Sequence, residues 1–291
     1  MSHTLIVHGP ALGPAETAHL RQQFPLAHLE QPVAHVARLS PAAPLASVRH
    51  QIHDWCQAHA LDHAWLPQGA RLSDYRVLAM DMDSTLITIE CIDEIADMVG
   101  VKPQVAAITE AAMRGEIVDF ADSLRRRVAL LAGVPERALH AVYDQRLQLN
   151  PGAEALLAAA REAGLKTLLV SGGFTFFTER LKARLNLDEA HANTLEVIDG
   201  KLTGRVLGDI VDASAKAQHL QHLCDRLGAD PGRQAIALGD GANDLKMLGL
   251  AAVNVAYHAK PAVRAATAQA IDFGGLDGIL HWFDDTAART S

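Results

Sequence analysis

Three short apolar runs constrain this chain most: Val77-Leu78-Ala79-Met80, Thr167-Leu168-Leu169-Val170 and Ala235-Ile236-Ala237-Leu238. Each reads as a buried strand. Each runs straight into polar or glycine residues, respectively Asp81-Met82-Asp83, Ser171-Gly172-Gly173 and Gly239-Asp240-Gly241. From Tyr75 onward strand-like and helix-like stretches alternate, which predicts an α/β fold with a parallel sheet covered on both faces. Ligands of such sheets bind outside the carboxyl ends of the strands, so the polar termini should share one site. Asp81 and Asp83 are two residues apart, and in extended chain they project to the same side.

Asn150-Pro151 reads as a helix start, with Asn as N-cap and Pro at the first helical position. That helix runs through Ala153 to Ala163 and ends at Gly164. Ser171-Gly172-Gly173 reads as a loop. Asp199-Gly200, between alternating segments from Leu195 to Leu207, is the signature of a type I′ hairpin, and Val253-Asn254-Val255 suits a further strand. One join is out of proportion: about sixty residues, Thr88 to Leu149, stand where such connections take about 2–6. This segment is helical by pattern, with Phe120, Leu124, Val128 and Leu131 on one apolar face, and is expected to form an inserted cap (about 88–149) over the strand ends. Ahead of Tyr75, Thr4–Val7, Ala15–Phe24, Ala34–Leu39 and Ala46–Ala60 suggest a β-α-β-α unit, punctuated by Leu66-Pro67-Gln68-Gly69. The expected division is residues 1–70 and 71–291.

The formal charge of −8 lacks the basic surplus of a nucleic-acid binder. No apolar run approaches the roughly 18 residues of a membrane span, and no signal pattern opens the chain. Cys56, Cys91 and Cys224 form no C-x-x-C pair, which suits a reducing, cytoplasmic setting. His50, His53, Cys56, His59 and His63 fit no common zinc spacing.

The chemistry lies at the strand ends. Asp81, Asp83 and Asp240 supply carboxylates for a hard cation, Ser171-Gly172 a hydroxyl and glycine backbone for an anion, and Lys216 one ammonium. Mg2+ favours a few carboxylates completed by waters and substrate phosphate, so the set suits phosphoryl transfer. Asp81-x-Asp83-Ser84-Thr85, Ser171-Gly172-Gly173, Lys216 and Gly239-Asp240-Gly241-Ala242-Asn243-Asp244 resemble, in order and spacing, the four motifs of the haloacid dehalogenase-like phosphatases. The resemblance covers roughly Tyr75 to Phe273. The cap segments Met113-Arg114-Gly115-Glu116, Asp119-Phe120 and Ser123-Leu124-Arg125-Arg126-Arg127-Val128 narrow it to the branch that acts on O-phospho-L-serine.

The resemblance implies a Rossmann-like core with a helical cap, and a small-molecule substrate. It implies Asp81 as nucleophile and Asp83 as general acid and base. Mg2+ would be held by Asp81, the Asp83 backbone carbonyl and Asp240, with Asp244 orienting that shell. Ser171, the Gly172 amide and Lys216 would hold phosphoryl oxygens, and Asn243 would help bind substrate. Glu90 and Arg127 would take the ammonium and carboxylate of the substrate. Helical geometry supports Arg127 independently, since it flanks the apolar face while Arg126 points almost oppositely. Asp93 and Glu94 compete with Glu90. The alternative is a phosphatase or phosphotransferase of the same fold acting on another small phosphomonoester. Extra N-terminal domains in this family resemble ACT-type amino-acid-sensing modules, and residues 1–70 are similar in element order. A packing role, or a homodimer formed through this unit, is the other expectation.

Overall fold

A computed structural model describes residues 2–24, 27–42 and 46–286. Residues 287–291 of the expected second unit and the Met113 side chain of the cap motif lie outside the described residues. The N-terminal unit runs β1 (His3–His8), α1 (Pro14–Gln23), β2 (His28–Glu30), β3 (Val36–Ala42), α2 (Ala46–Ala58) and β4 (Asp62–Pro67). The four expected elements are therefore six. β2 is only three residues long, and β4 runs into the stretch read as punctuation, with Pro67 as its last residue and the turn following at Gln68-Gly69. The sheet order β2-β3-β1-β4, antiparallel throughout, is ferredoxin-like. Alternation along β1 sorts its faces: Leu5 and Val7 pack with Leu20, Ile52 and Cys56 of the helices. Ile6 instead joins Leu276, Ile279 and Trp282 from the far end of the chain.

β5 (Val77–Met80) leads into the cap, which consists of α3 (Cys91–Met98), α4 (Lys102–Met113), α5 (Phe120–Ala129) and α6 (Arg137–Gln145). The core then continues through α7 (Ala153–Glu162), β6 (Lys166–Phe174), α8 (Thr175–Leu185), β7 (Glu189–Ile198), β8 (Lys201–Leu207) and α9 (Ala213–Leu227). It closes with α10 (Pro231–Gln234), β9 (Ala235–Gly239), α11 (Leu245–Leu250), β10 (Val253–Tyr257), α12 (Pro261–Ala266) and β11 (Gln269–Ile271). The order β11-β10-β9-β5-β6-β7 is parallel throughout, with β8 added antiparallel at the edge. Leu78 and Met80 face α7 and α8, while Val77 and Ala79 face α9 and α11, so both faces are dry and the strand reads as a continuous apolar run. One rung, His63 against Ala270, joins β4 to β11, and the two sheets become one.

Two local readings need correction. The helix after the cap starts at Ala153 behind Gly152, a left-handed residue (φ 78°), so Asn150 is not its N-cap. Asn150 Nδ2 donates instead to the carbonyls of Thr85 (2.9 Å) and Ile87 (3.1 Å), tying the two cap connections together. Ser171–Gly173 is not a loop, because β6 continues through it to Phe174. The hairpin is as expected: Asp199 (φ 49°) and Gly200 (φ 71°) both take the conformation of a type I′ turn. Its far strand carries the cap, with Gly133 N–H bonded to the Leu202 carbonyl (2.8 Å) and Glu136 N–H to that of Gly200 (2.9 Å).

Candidate active site

β5 lies between β6, which follows it in sequence, and β9, which comes later. The winding reverses at β5, and its carboxyl end is where an open α/β sheet has its crevice. Asp81 follows β5, Ser171 lies on β6 and Asp240 follows β9, so the three termini are adjacent. Met82–Leu86 then makes one wide turn, closed by Ile87 N–H on the Met82 carbonyl (3.0 Å). Ser84 inside it is left-handed (φ 56°).

Lys216 reaches the same point from α9. Asp212 caps that helix, accepting from Ala215 N–H (2.8 Å). Lys216 shares the buried helix face with Leu220, Leu223 and Cys224, so the helix packs its lysine inward. Its Nζ is 2.8 Å from Asp81 Oδ1 and 2.7 Å from Asp244 Oδ1, and the side chain is fully buried. Burial alone would depress the ammonium, but the Asp244 and Asp81 carboxylates outweigh it and hold the pKa above the ordinary lysine range.

Asp244 spends its other oxygen on the Asp240 (3.2 Å) and Gly241 (3.0 Å) amides. Asp81 takes the Met82 N–H on the same Oδ1 that meets Lys216. Thr85 Oγ1 lies 3.4 Å from Asp240 Oδ1. Burial, then the Asp244 charge, pushes Asp240 up to about 6. Asp81, Asp240 and Asp244 each offer an oxygen within 4.8 Å of the others. Three carboxylates meet one ammonium in direct contact, Lys216, with Lys260 a further cation near Asp240. The pocket stays short of positive charge, and a hard divalent cation fits that deficit. With both Asp244 oxygens engaged, Asp81 and Asp240 are the better placed to hold it.

Asp83 accepts from Cys91 N–H (3.2 Å). Burial, then the neighbouring Glu90, pushes it up to about 7. A Cβ on Gly173 would lie 2.8 Å from Asp83 Oδ2 and 3.1 Å from Ser171 Oγ, so glycine lets this carboxylate and hydroxyl close on one volume. Ser171 is buried, and its Oγ accepts from Gly173 N–H (2.9 Å), which leaves its own proton to donate. Gly172 lies under the cap, where a Cβ would come 3.0 Å from Phe120 Cζ. Asn243 is half-buried in the short turn Ala242–Asp244.

Both expected cap residues face this pocket. Glu90, directly ahead of α3, accepts from Ser84 Oγ (2.8 Å). Arg127 is half-buried, with Asp93, Glu90 and Asp83 as its charged neighbours. Burial lowers its pKa, and those three carboxylates oppose the shift. Arg125 and Arg126 are exposed, and Arg126 pairs with Asp122 on the surface. The contacts of Asn150 had no signal in the sequence, because its side chain answers backbone groups of another segment.

Among the described residues no helix is long and apolar enough to cross a membrane. The family model for haloacid dehalogenase-like hydrolases matches residues 78–249. A phosphoserine phosphatase from Polaromonas sp. (strain JS666) is 58% identical over 214 residues, covering 72% of this chain and 90% of that protein. The one from Haemophilus influenzae is 49% identical over 220 residues, 76% of this chain and 69% of its own. A crystal structure of a hydrolase of this family from Salmonella enterica serovar Typhi matches with TM-score 0.89 and 33% identity, covering 98% of this chain and 99% of that one. An unliganded probable phosphoserine phosphatase from Vibrio cholerae matches with TM-score 0.81 and 38% identity, over 99% and 89%. The motifs, their convergence at the carboxyl ends of adjacent central strands and these likenesses agree: the chain belongs to the haloacid dehalogenase-like hydrolases and, within them, to the phosphoserine phosphatase family.

Proposed function

We propose that this chain hydrolyses O-phospho-L-serine to L-serine and phosphate, the last step of serine biosynthesis, with Mg2+ as cofactor. An Asp81 carboxylate oxygen attacks phosphorus and the P–O bond to serine breaks, giving an aspartyl-phosphate. Asp83 gives its proton to the departing serine oxygen. It then takes one from the water that attacks phosphorus and frees phosphate from Asp81. Ser171 Oγ, the Gly172 amide and Lys216 donate to phosphoryl oxygens, and Asn243 helps hold the substrate. Glu90 takes the substrate ammonium, and the planar fork of Arg127 takes its carboxylate. Asp81, the Asp83 carbonyl and Asp240 would hold Mg2+, with Asp244 orienting that group, and the ion would neutralise phosphate charge against the incoming carboxylate.

The observation that carries this reading is Asp83. A carboxyl pushed up to about 7 beside the Ser171–Gly173 strand suits a group that must first hold and then accept a proton near neutral pH. The test is Mg2+-dependent phosphate release from phosphoserine by the wild type beside Asp81→Asn. Undiminished release by that variant would end the proposal. A panel of esters lacking amino and carboxylate groups, hydrolysed as fast as phosphoserine, would shift the assignment to another phosphomonoester.

The three buried, unpaired thiols support a cytoplasmic setting. For residues 1–70 the contacts favour packing. The βαββαβ order suits an ACT-like unit, but its helix-free sheet face is covered by Leu276, Ile279 and Trp282. A homodimer formed through that face gains no support from this arrangement.

A further inference from the structure

β6 and β7 pair in register up to Val170 against His191 and resume at Phe174 against Asn193. Ser171, Gly172 and Gly173 thus stand opposite Ala192 alone, and β6 bulges at the pocket. A bulge breaks the ladder, and the backbone groups it strands must be answered otherwise. Asn193 answers one of them. It is 1% exposed. Its Nδ2 donates to the Gly172 carbonyl (2.8 Å), and its Oδ1 accepts from Val211 N–H (2.8 Å). Val211 directly precedes Asp212, the cap of the helix that delivers Lys216. The amide can sit only one way round, because reversal would set donor against donor and acceptor against acceptor.

We propose that Asn193 is a positioning residue for the phosphoryl pocket. One side-chain amide fixes the Ser171–Gly173 bulge relative to the start of the Lys216 helix, so hydroxyl, amide and ammonium converge before any anion arrives. This rests on the reading of Ser171, Gly172 and Lys216 as phosphoryl donors. Donors held in advance need no reorganisation when charge develops, and a small drift between them weakens the set as a whole.

The test uses the full chain with Mg2+ and inorganic phosphate as probe, by titration calorimetry at a temperature where each variant is folded. Asn193→Asp keeps the shape and the acceptor for Val211 but turns an acceptor toward the Gly172 carbonyl. Gln269→Leu is the control, since Gln269 is another buried amide that bridges backbone, pairing with both the N–H and carbonyl of Trp65. Asn193→Asp is expected to weaken phosphate binding about tenfold or more, with kcat/KM for phosphoserine falling in step. Gln269→Leu should lower the melting temperature and leave phosphate binding unchanged. Wild-type phosphate affinity in Asn193→Asp, with only its melting temperature reduced, overturns the positioning role. Should that variant not fold, the smaller, neutral Asn193→Ser decides by the same measure. A wild type that takes no phosphate is a separate result, which overturns the phosphoryl reading itself.

Discussion

Lys216 Nζ lies 2.8 Å from Asp81 Oδ1, the ammonium fully buried and the carboxylate nearly so. Removing one member of a buried pair strands the other without water or counter-charge. Lys216→Met should therefore cost about 3–5 kcal/mol of stability near neutral pH without divalent cation. The loss should shrink at pH 5, where protonation relieves the stranded carboxylates. Urea unfolding at the two pH values measures both, and an equal loss at each would count against the charge argument.

A second expectation concerns the cation. Asp83 and Asp240 are pushed up to about 7 and about 6, in each case mainly by burial. Raised carboxyl pKa values give stability that is complete below the unfolded value of about 4 and lost as pH climbs through 6 and 7. Mg2+ held among the ionised groups, as proposed, would offset that loss. The gap in melting temperature between Mg2+ and EDTA samples should widen from pH 5 to pH 8, and a constant gap would disprove the link.

Arg127→Ala should act on recognition rather than chemistry. A charge-assisted hydrogen bond is worth about 1.5–3 kcal/mol, so KM for phosphoserine should rise roughly 10- to 150-fold. Phenyl phosphate, which has no carboxylate, should be nearly indifferent. Steady-state kinetics on both esters test this, and parallel changes would remove Arg127 from the substrate contact.

Gly204 allows the hairpin to carry the cap. It is left-handed (φ 84°), and a Cβ there would meet Ala132 Cβ at 3.0 Å and the Ala129 carbonyl at 3.2 Å. Ala129 ends the helix that bears Arg127, and Ala132 lies in the turn just beyond it. Gly204→Val should cost about 1–3 kcal/mol through overpacking and backbone strain. It should also raise KM for phosphoserine more than for phenyl phosphate, and thermal melts with paired kinetics check both effects.

What the sequence made legible was whatever local pattern dictates. The strand ends before Asp81 and Asp240 could be read because an apolar run gives way to polar and glycine residues there, whereas β6 runs on past Ser171 to Phe174 through glycines that carry no strand pattern. Lys216 could be placed by its position among the four family motifs, since a lysine in the first turns of a helix is otherwise unremarkable. β4 was hidden by Pro67, which breaks most strands but here occupies the last position, and β2 and β11 are too short to show a period. Asn150 has the local chemistry of a cap and is instead claimed by carbonyls across the cap hinge. Asn193 stands between unremarkable neighbours, and its importance lies in Gly172 and Val211, each about twenty residues away along the chain.

The seam at β4 has a consequence for any attempt to pare this molecule down. Asp62 holds the amides of Asp272, Phe273 and Gly274, and His8 receives the Trp282 indole N–H. A fragment beginning at residue 71 would carry β11 as a naked rim, with three abandoned amides and a greasy wall turned to water. Such a piece invites clumping, so the leading seventy residues serve the hydrolytic half as its missing flank.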